Sequence, residues 1–320
     1  MKHLFQRVRH SGIVQMAVKI GITLLVFWAV FRGIDFARLE AVLHHQEHPM
    51  LAVGAGLLFA QMLVGAFRWY LIVHALSEEK HPKLGKRPAL KIYYISMFFT
   101  CCLPGAVGGD VMRVWLTKSE HLPLNVTINS VIIDRMAALA ALVLMVIFTL
   151  PVLGKSLGLD PSVVLPLAAL SAVTGLWFLF NAERFLKPVR HVRIVHWILH
   201  LVSSIHMIIK NPYTCCMVLI LAFIGQCIYA LAAWVLAISL HVDMTLLQSL
   251  TLMPPVMLAT TLPISIGGWG VREASIIGML SIIGVAQVSA LALSLELGLL
   301  GIFISLPGSL LWLAHRRAAV

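Results

Sequence analysis

Two eleven-residue runs hold the side chains best placed for chemistry. The first is Leu103-Pro104-Gly105-Ala106-Val107-Gly108-Gly109-Asp110-Val111-Met112-Arg113 and the second is Leu262-Pro263-Ile264-Ser265-Ile266-Gly267-Gly268-Trp269-Gly270-Val271-Arg272. Both read L-P-x-x-x-G-G-x-x-x-R, at an offset of 159 residues in a chain of 320. At ordinary frequencies of about 5% Pro and 7% Gly, such a coincidence arises by chance in roughly one chain in a thousand, so the runs are read as an internal repeat. Pro104 and Pro263 stop a helix, and Gly108, Gly109, Gly267 and Gly268 let the backbone turn and approach closely. A helix restarting there points free N–H groups at the break, which favours an anion. Arg113 and Arg272, about one turn further on, add a fixed charge and a fork suited to phosphate or carboxylate. One copy alone reads equally well as a kink; two matched copies ending in Arg favour a site.

Further charges stand in apolar surroundings: Arg68, Arg135, Asp110, Asp134, Glu273 and Glu296. An Arg at the middle of a bilayer costs about 2.5 to 3.5 kcal/mol on insertion scales, so each must be paired or face water. Asp134 and Arg135 are adjacent, which turns them to different faces of a helix, and each is expected to pair elsewhere. For Arg68, Asp134 and Arg135 a structural ion pair competes evenly with a substrate contact. Glu296 falls in the middle of the last apolar segment, where a relay or gating role is expected. Trp69, Tyr70, Trp115 and Trp269 read as interface anchors or packing groups. Arg113 and Arg272 are expected to be held mainly by substrate and backbone.

The elements that must position these groups are apolar and long. Hydrophobic residues make up 60% of the chain and charged ones only 12%, against about 25% charged in soluble domains. The apolar segments fall near 12–31, 50–75, 92–117, 124–152, 162–181, 212–240, 247–284 and 287–314. Most match the roughly 20 residues needed to cross a hydrocarbon core. The third and seventh contain the two Pro-Gly breaks and read as re-entrant hairpins. The fold expected is therefore an all-α polytopic membrane protein with six transmembrane helices and two re-entrant broken-helix hairpins in an inverted repeat. Its halves span about 12–152 and 162–315, joined through an interfacial helix near 182–211.

Charge supports that topology. With both hairpins returning to the side they entered, seventeen of the 24 Lys and Arg residues flank the cytoplasmic face, together with both termini. Only Arg32, Arg38 and Lys155 flank the other, and Arg68, Arg113, Arg135 and Arg272 lie at membrane depth. A second interfacial helix is expected at 34–48. Scattered between spans, the basic residues do not form the patch of a nucleic-acid binder. His196 and His200 have metal-ligand spacing but no acidic neighbour, so no metal site is expected, and the five cysteines in apolar stretches imply no disulfide framework. No cofactor is expected either. Gly108-Gly109-Asp110-Val111-Met112-Arg113 lacks the G-K-[ST] ending of a P-loop, so any transport is facilitated or ion-coupled.

The two runs, the second extended through Glu273 and Ala274, and Asp134-Arg135 between them resemble the flippase-like transmembrane region of lysylphosphatidylglycerol synthases. The resemblance covers residues 12 to 315 or so, and it implies an inner-membrane lipid translocator of bacterial or archaeal type. The best-known members continue into a soluble aminoacyl-transferase domain. This chain ends at Val320, so lipid synthesis is not expected of it. Stand-alone members are linked with various lipids, including polyprenyl-linked and hopanoid-related ones. The function expected is binding of an anionic lipid headgroup at the two hairpins and its movement across the membrane. The alternatives are a membrane-embedded enzyme using Asp110, Asp134 or Glu273 as base, and a non-transporting scaffold. Against the enzyme, the sequence has no H-E-x-x-H and no G-x-S-x-G.

Overall fold

The computed structural model describes residues 21, 28, 32, 36–44, 46–77, 83–102, 108–157, 204–261 and 268–318. Every regular element among them is an α-helix. In chain order these are α1 (Phe36–His44), α2 (His48–Leu76), α3 (Lys86–Cys102), α4 (Gly108–Ser119), α5 (Leu124–Leu157), α6 (Pro212–Ser239), α7 (Leu246–Thr261), α8 (Val271–Ser281), α9 (Gln287–Ser305) and α10 (Pro307–Ala318), with a further helical stretch over 204–210.

Four described helical stretches are long and apolar enough to cross a membrane: His48–Leu76, Leu124–Pro151, Pro212–Ser239 and Gln287–His315. At 1.5 Å per residue a 28-residue helix is about 42 Å long, enough for the hydrocarbon core and part of the headgroup region. They match four of the six expected spans. The other two, 12–31 and 162–181, lie outside the described residues apart from Gly21 and Trp28, as does most of 182–211. Where that last segment comes into view, Ile205 and Ile208 pack on the cluster formed by α2 to α5. At 34–48 the expected helix is present as α1, and its apolar side, Leu39, Val42 and Leu43, packs on the core shared with α9.

α2 and α6 run antiparallel. Glu47 N–H donates to the Ser239 carbonyl at 3.0 Å at one end of the pair, and further along Gly54 lies against Leu236 and Val64 against Gly225. Small residues allow the approach: a Cβ on Gly54 would overlap the Leu236 side chain. Without a hydrophobic drive between helices in lipid, such close backbone packing is what holds two spans together.

The contacts between helices repeat. α2 packs on α3, α3 on α4, α4 on α5, and α2 on α5; likewise α6 packs on α7, α7 on α8, α8 on α9, and α6 on α9. Contacts between the halves follow the same rule, since α5 meets α6 and α7 while α9 meets α2 and α3. Exchanging α2 with α6, α3 with α7, α4 with α8 and α5 with α9 thus leaves this packing scheme unchanged. Two apolar clusters result, one centred on α2 to α5 and one on α6 to α9.

Candidate substrate site

The first arginine, on α4, sits where α2, α3 and α5 converge. α4 runs back along α3: Gly109 lies against the Ser96 carbonyl and Thr100 Oγ1, where a Cβ would overlap both, and the Arg113 guanidinium lies 4.4 Å from the Tyr93 ring centroid. Tyr93 and Arg113 are each ten residues from position 103. Residues 103–107, with Pro104, lie outside the described residues. Beside Tyr93 stands Trp69 of α2, its ring centroid 5.3 Å from the guanidinium.

A chain of ion pairs crosses this junction. Asp134 of α5 accepts from Arg113 Nη1 at 2.9 Å through Oδ2 and from Arg68 Nε of α2 at 2.7 Å through Oδ1. The next residue of α5, Arg135, donates to both oxygens of Asp110, which lies one turn before Arg113 on α4: Nε to Oδ2 at 3.1 Å and Nη2 to Oδ1 at 3.0 Å. Adjacent Asp134 and Arg135 therefore do turn to different partners. The Arg113–Asp134 pair is closed off, each side chain 4% exposed, whereas Arg135 is 46% and Asp110 19% exposed. Among the described residues, the buried part of the junction sets two guanidiniums, Arg68 and Arg113, against one carboxylate, Asp134, which leaves one positive charge. The buried Nε of Arg113 has no hydrogen-bond acceptor among the described residues.

The second arginine has its own seat. Gly268 and Gly270 take positive φ, 79° and 84°, a region open to glycine and costly for other residues. Those turns deliver the chain into α8, where Glu273 Oε2 accepts the Gly270 N–H, half of a capping box. The other oxygen, Oε1, accepts from Arg272 Nη2 at 2.7 Å, and Ser294 of α9 accepts from Arg272 Nε at 3.3 Å. Trp269 stacks on the guanidinium, with its centroid 4.6 Å from Cζ. Gly298, one turn beyond Ser294, makes room, for a Cβ there would overlap the guanidinium. Pro263 and Gly267 lie outside the described residues.

Several sequence expectations change here. Neither Arg113 nor Arg272 is held mainly by backbone and substrate; each has a carboxylate, because a guanidinium withdrawn from water needs a counter-charge. Trp69 and Trp269, read as interface anchors or packing groups, pack on the two arginines, and Trp69 is fully buried. Trp115, by contrast, is 56% exposed. Glu296 is 6% exposed on α9, on neither of the two ionic clusters, and neither carboxylate oxygen has a hydrogen-bond partner among the described residues. Tyr93, Ser294 and Gly298 were not singled out by sequence; the fold-back about position 103 was the one signal for Tyr93. His196 and His200 lie outside the described residues, and among those described there is no group of three or more His, Cys, Asp and Glu placed to hold a metal.

Apolar spanning helices joined by buried ionic clusters define a multi-pass membrane protein. Its family follows from the match to the lysylphosphatidylglycerol synthase TM region, which covers residues 16–308; the chain belongs to that family. No curated protein matches it.

Proposed function

We propose that the protein binds the anionic headgroup of a membrane lipid at Arg113 and Arg272 and carries it across the bilayer without altering it chemically. The observation that carries this reading is the charge and donor left over around Arg113. One net positive charge in a junction shielded from water attracts an anion far more strongly than the same charge on a wet surface. A buried N–H without an acceptor costs free energy unless something supplies one, and a phosphate or carboxylate oxygen would. Arg135 and Asp110, the half-open pair at the edge of this cluster, form the route in. Glu273 and Asp134 hold the two arginines in position, and Arg68 shares Asp134 so that the carboxylate does not cancel Arg113 alone.

The apolar half of such a ligand has a place too. A groove of about 610 Å³, lined by Phe59 of α2, Tyr94 of α3 and Phe303 and Ile304 of α9, is apolar and open at the side. Acyl or prenyl chains suit it, since displaced lipid tails are exchanged for equally apolar walls.

An inverted arrangement of the two halves is part of the proposal. An axis in the membrane plane relates elements running in opposite directions, and an axis along the normal relates elements running in the same direction. The equivalent helices α2 and α6 are antiparallel, and Val64 touches Gly225, a separation close to the 159-residue repeat offset, so the former axis is favoured. The hairpins α3–α4 and α7–α8 then enter from opposite faces as re-entrant segments, with both chain termini cytoplasmic in an inner membrane.

The deciding experiment is a flip assay on purified protein in liposomes, using headgroup-labelled anionic and zwitterionic lipids, with mass spectrometry of the lipid afterwards. Faster movement of the anionic lipid with its mass unchanged is the expected result. No acceleration for either lipid sinks the transport reading, and a changed mass replaces it with an enzyme.

A further inference from the structure

We propose that Glu296 carries an exchangeable proton, and that its release and uptake are tied to the movement of α9 against α8. The coupling half of this rests on the lipid-translocation reading; the proton itself does not.

Glu296 lies in the middle of α9, a helix apolar enough to span the membrane, and is more than nine-tenths buried. Both of its carboxylate oxygens are buried, and neither has a hydrogen-bond partner among the described residues. An ionised carboxylate in that position would be an unpaired charge in a medium that solvates none, so the group is held as the neutral acid. Paired buried carboxylates elsewhere in the molecule show the contrast: Asp134 has two guanidiniums and Glu273 has one together with a backbone N–H.

The charged and titratable groups of every element packed on α9 are engaged or set apart. On α8, Arg272 and Glu273 bond each other. On α2, Arg68 is taken by Asp134, His48 sits at the exposed helix start, and exposed His74 packs on Tyr70. On α3, Lys91 meets His315 of α10, Tyr93 covers Arg113, the Tyr94 hydroxyl donates to the Ile304 carbonyl at 2.6 Å, and Lys86 and Arg87 are exposed at the entry. On α1, Arg38, Glu40 and His44 are exposed. On α6, Tyr229 and Cys227 are half-buried neutral groups, and Tyr213, Cys215 and Cys216 stand at its first turn. None of them forms a hydrogen bond or ion pair with Glu296. A metal cation as the coupling ion would need several ligands around it, and among the described residues Glu296 belongs to no group of three or more His, Cys, Asp and Glu. A proton needs only the carboxyl.

The link to the substrate site is α9 itself. Ser294 and Gly298 seat the Arg272 guanidinium on one flank of the helix, and Glu296, two residues from each, lies about 200° around from Ser294. A shift of α9 that frees Arg272 to take or release an anion also moves Glu296 out of its dry setting, where water can take the proton. Lipid movement and protonation then share one rigid element.

The test uses wild-type protein in liposomes and dicyclohexylcarbodiimide, a membrane-soluble reagent that modifies carboxyls in their protonated form. Peptide mass spectrometry is expected to find Glu296 modified, with labelling falling as pH rises. Glu296 left unmodified while other membrane carboxyls react, or labelled equally at every pH, overturns the proposal. Flip assays under an imposed pH gradient test the coupling: the gradient should change the wild-type rate several-fold, and Glu296→Gln, a fixed neutral mimic, should abolish that response. If the gradient has no effect on a protein that does move lipid, the coupling is wrong. The labelling still reads the proton if no lipid moves at all, so failure of transport and failure of this inference remain distinguishable. Because the labelling needs no variant, the result stands even if Glu296→Gln does not fold.

Discussion

Arg113 of α4 and Arg68 of α2 grip the same carboxylate, that of Asp134 on α5, at 2.9 and 2.7 Å. Three helices from different stretches of the chain are thereby fixed to one buried atom group. Removing one partner of a buried pair costs about 3 to 5 kcal/mol because the other is left uncompensated. Asp134→Ala strands two guanidiniums and should show the largest fall in melting temperature in detergent. Arg113→Ala leaves Asp134 with Arg68 and should fall less. If the two variants melt alike, the shared-carboxylate account is wrong.

The neighbouring pair gives the opposite expectation for stability. Arg135 is half exposed, so its pairing with Asp110 is worth about 1 kcal/mol or less. Arg135→Ala and Asp110→Ala should therefore leave the melt nearly unchanged. Arg135→Ala should slow anionic lipid in the flip assay, and normal rates would remove it from the route.

Replacing either repeat arginine by lysine separates charge from geometry. Lysine keeps the positive point charge but loses the planar fork that meets two oxygens at once. Arg113→Lys and Arg272→Lys should retain part of the selectivity for anionic over zwitterionic lipid while lowering the rate. Complete loss in both, with intact melts, would mean that the fork is indispensable; full activity would mean that headgroup recognition lies elsewhere.

Gly298 and Gly301 offer a matched pair on α9. A Cβ at position 298 would overlap the Arg272 guanidinium, and at 301 it would meet nothing within 4 Å. Gly298→Ala should cost roughly 1 to 3 kcal/mol through overpacking and should slow lipid movement by unseating Arg272. Gly301→Ala should be neutral or mildly stabilising, as alanine is the better helix former. Equal effects would show that helix propensity, not the seat, decides.

Topology can be read by labelling single cysteines in a cysteine-free background. Positions 85 and 187 should react from the cytoplasmic side and position 157 from outside. Labelling of 187 from outside would reverse the placement of the basic loop and with it the inverted arrangement.

The sequence by itself determined the class of the molecule and the place of its long spans. Apolar length fixes the spans through the thickness of the hydrocarbon core, and α2, α5, α6 and α9 stand where the apolar runs at 50–75, 124–152, 212–240 and 287–314 put them. Adjacent Asp134 and Arg135 had to diverge for a local reason too, since neighbouring residues on a helix point about 100° apart. Which partners they found was decided only in three dimensions: Arg68 reaches Asp134 across 66 residues and Ser294 reaches Arg272 across 22. Ion pairs are non-directional and every arginine here had several acids to choose from, so spacing could not select among them. That Glu296 has no hydrogen-bond partner among the described residues is likewise a tertiary fact, because a carboxyl is unpaired only by virtue of what the helices packed on it fail to bring.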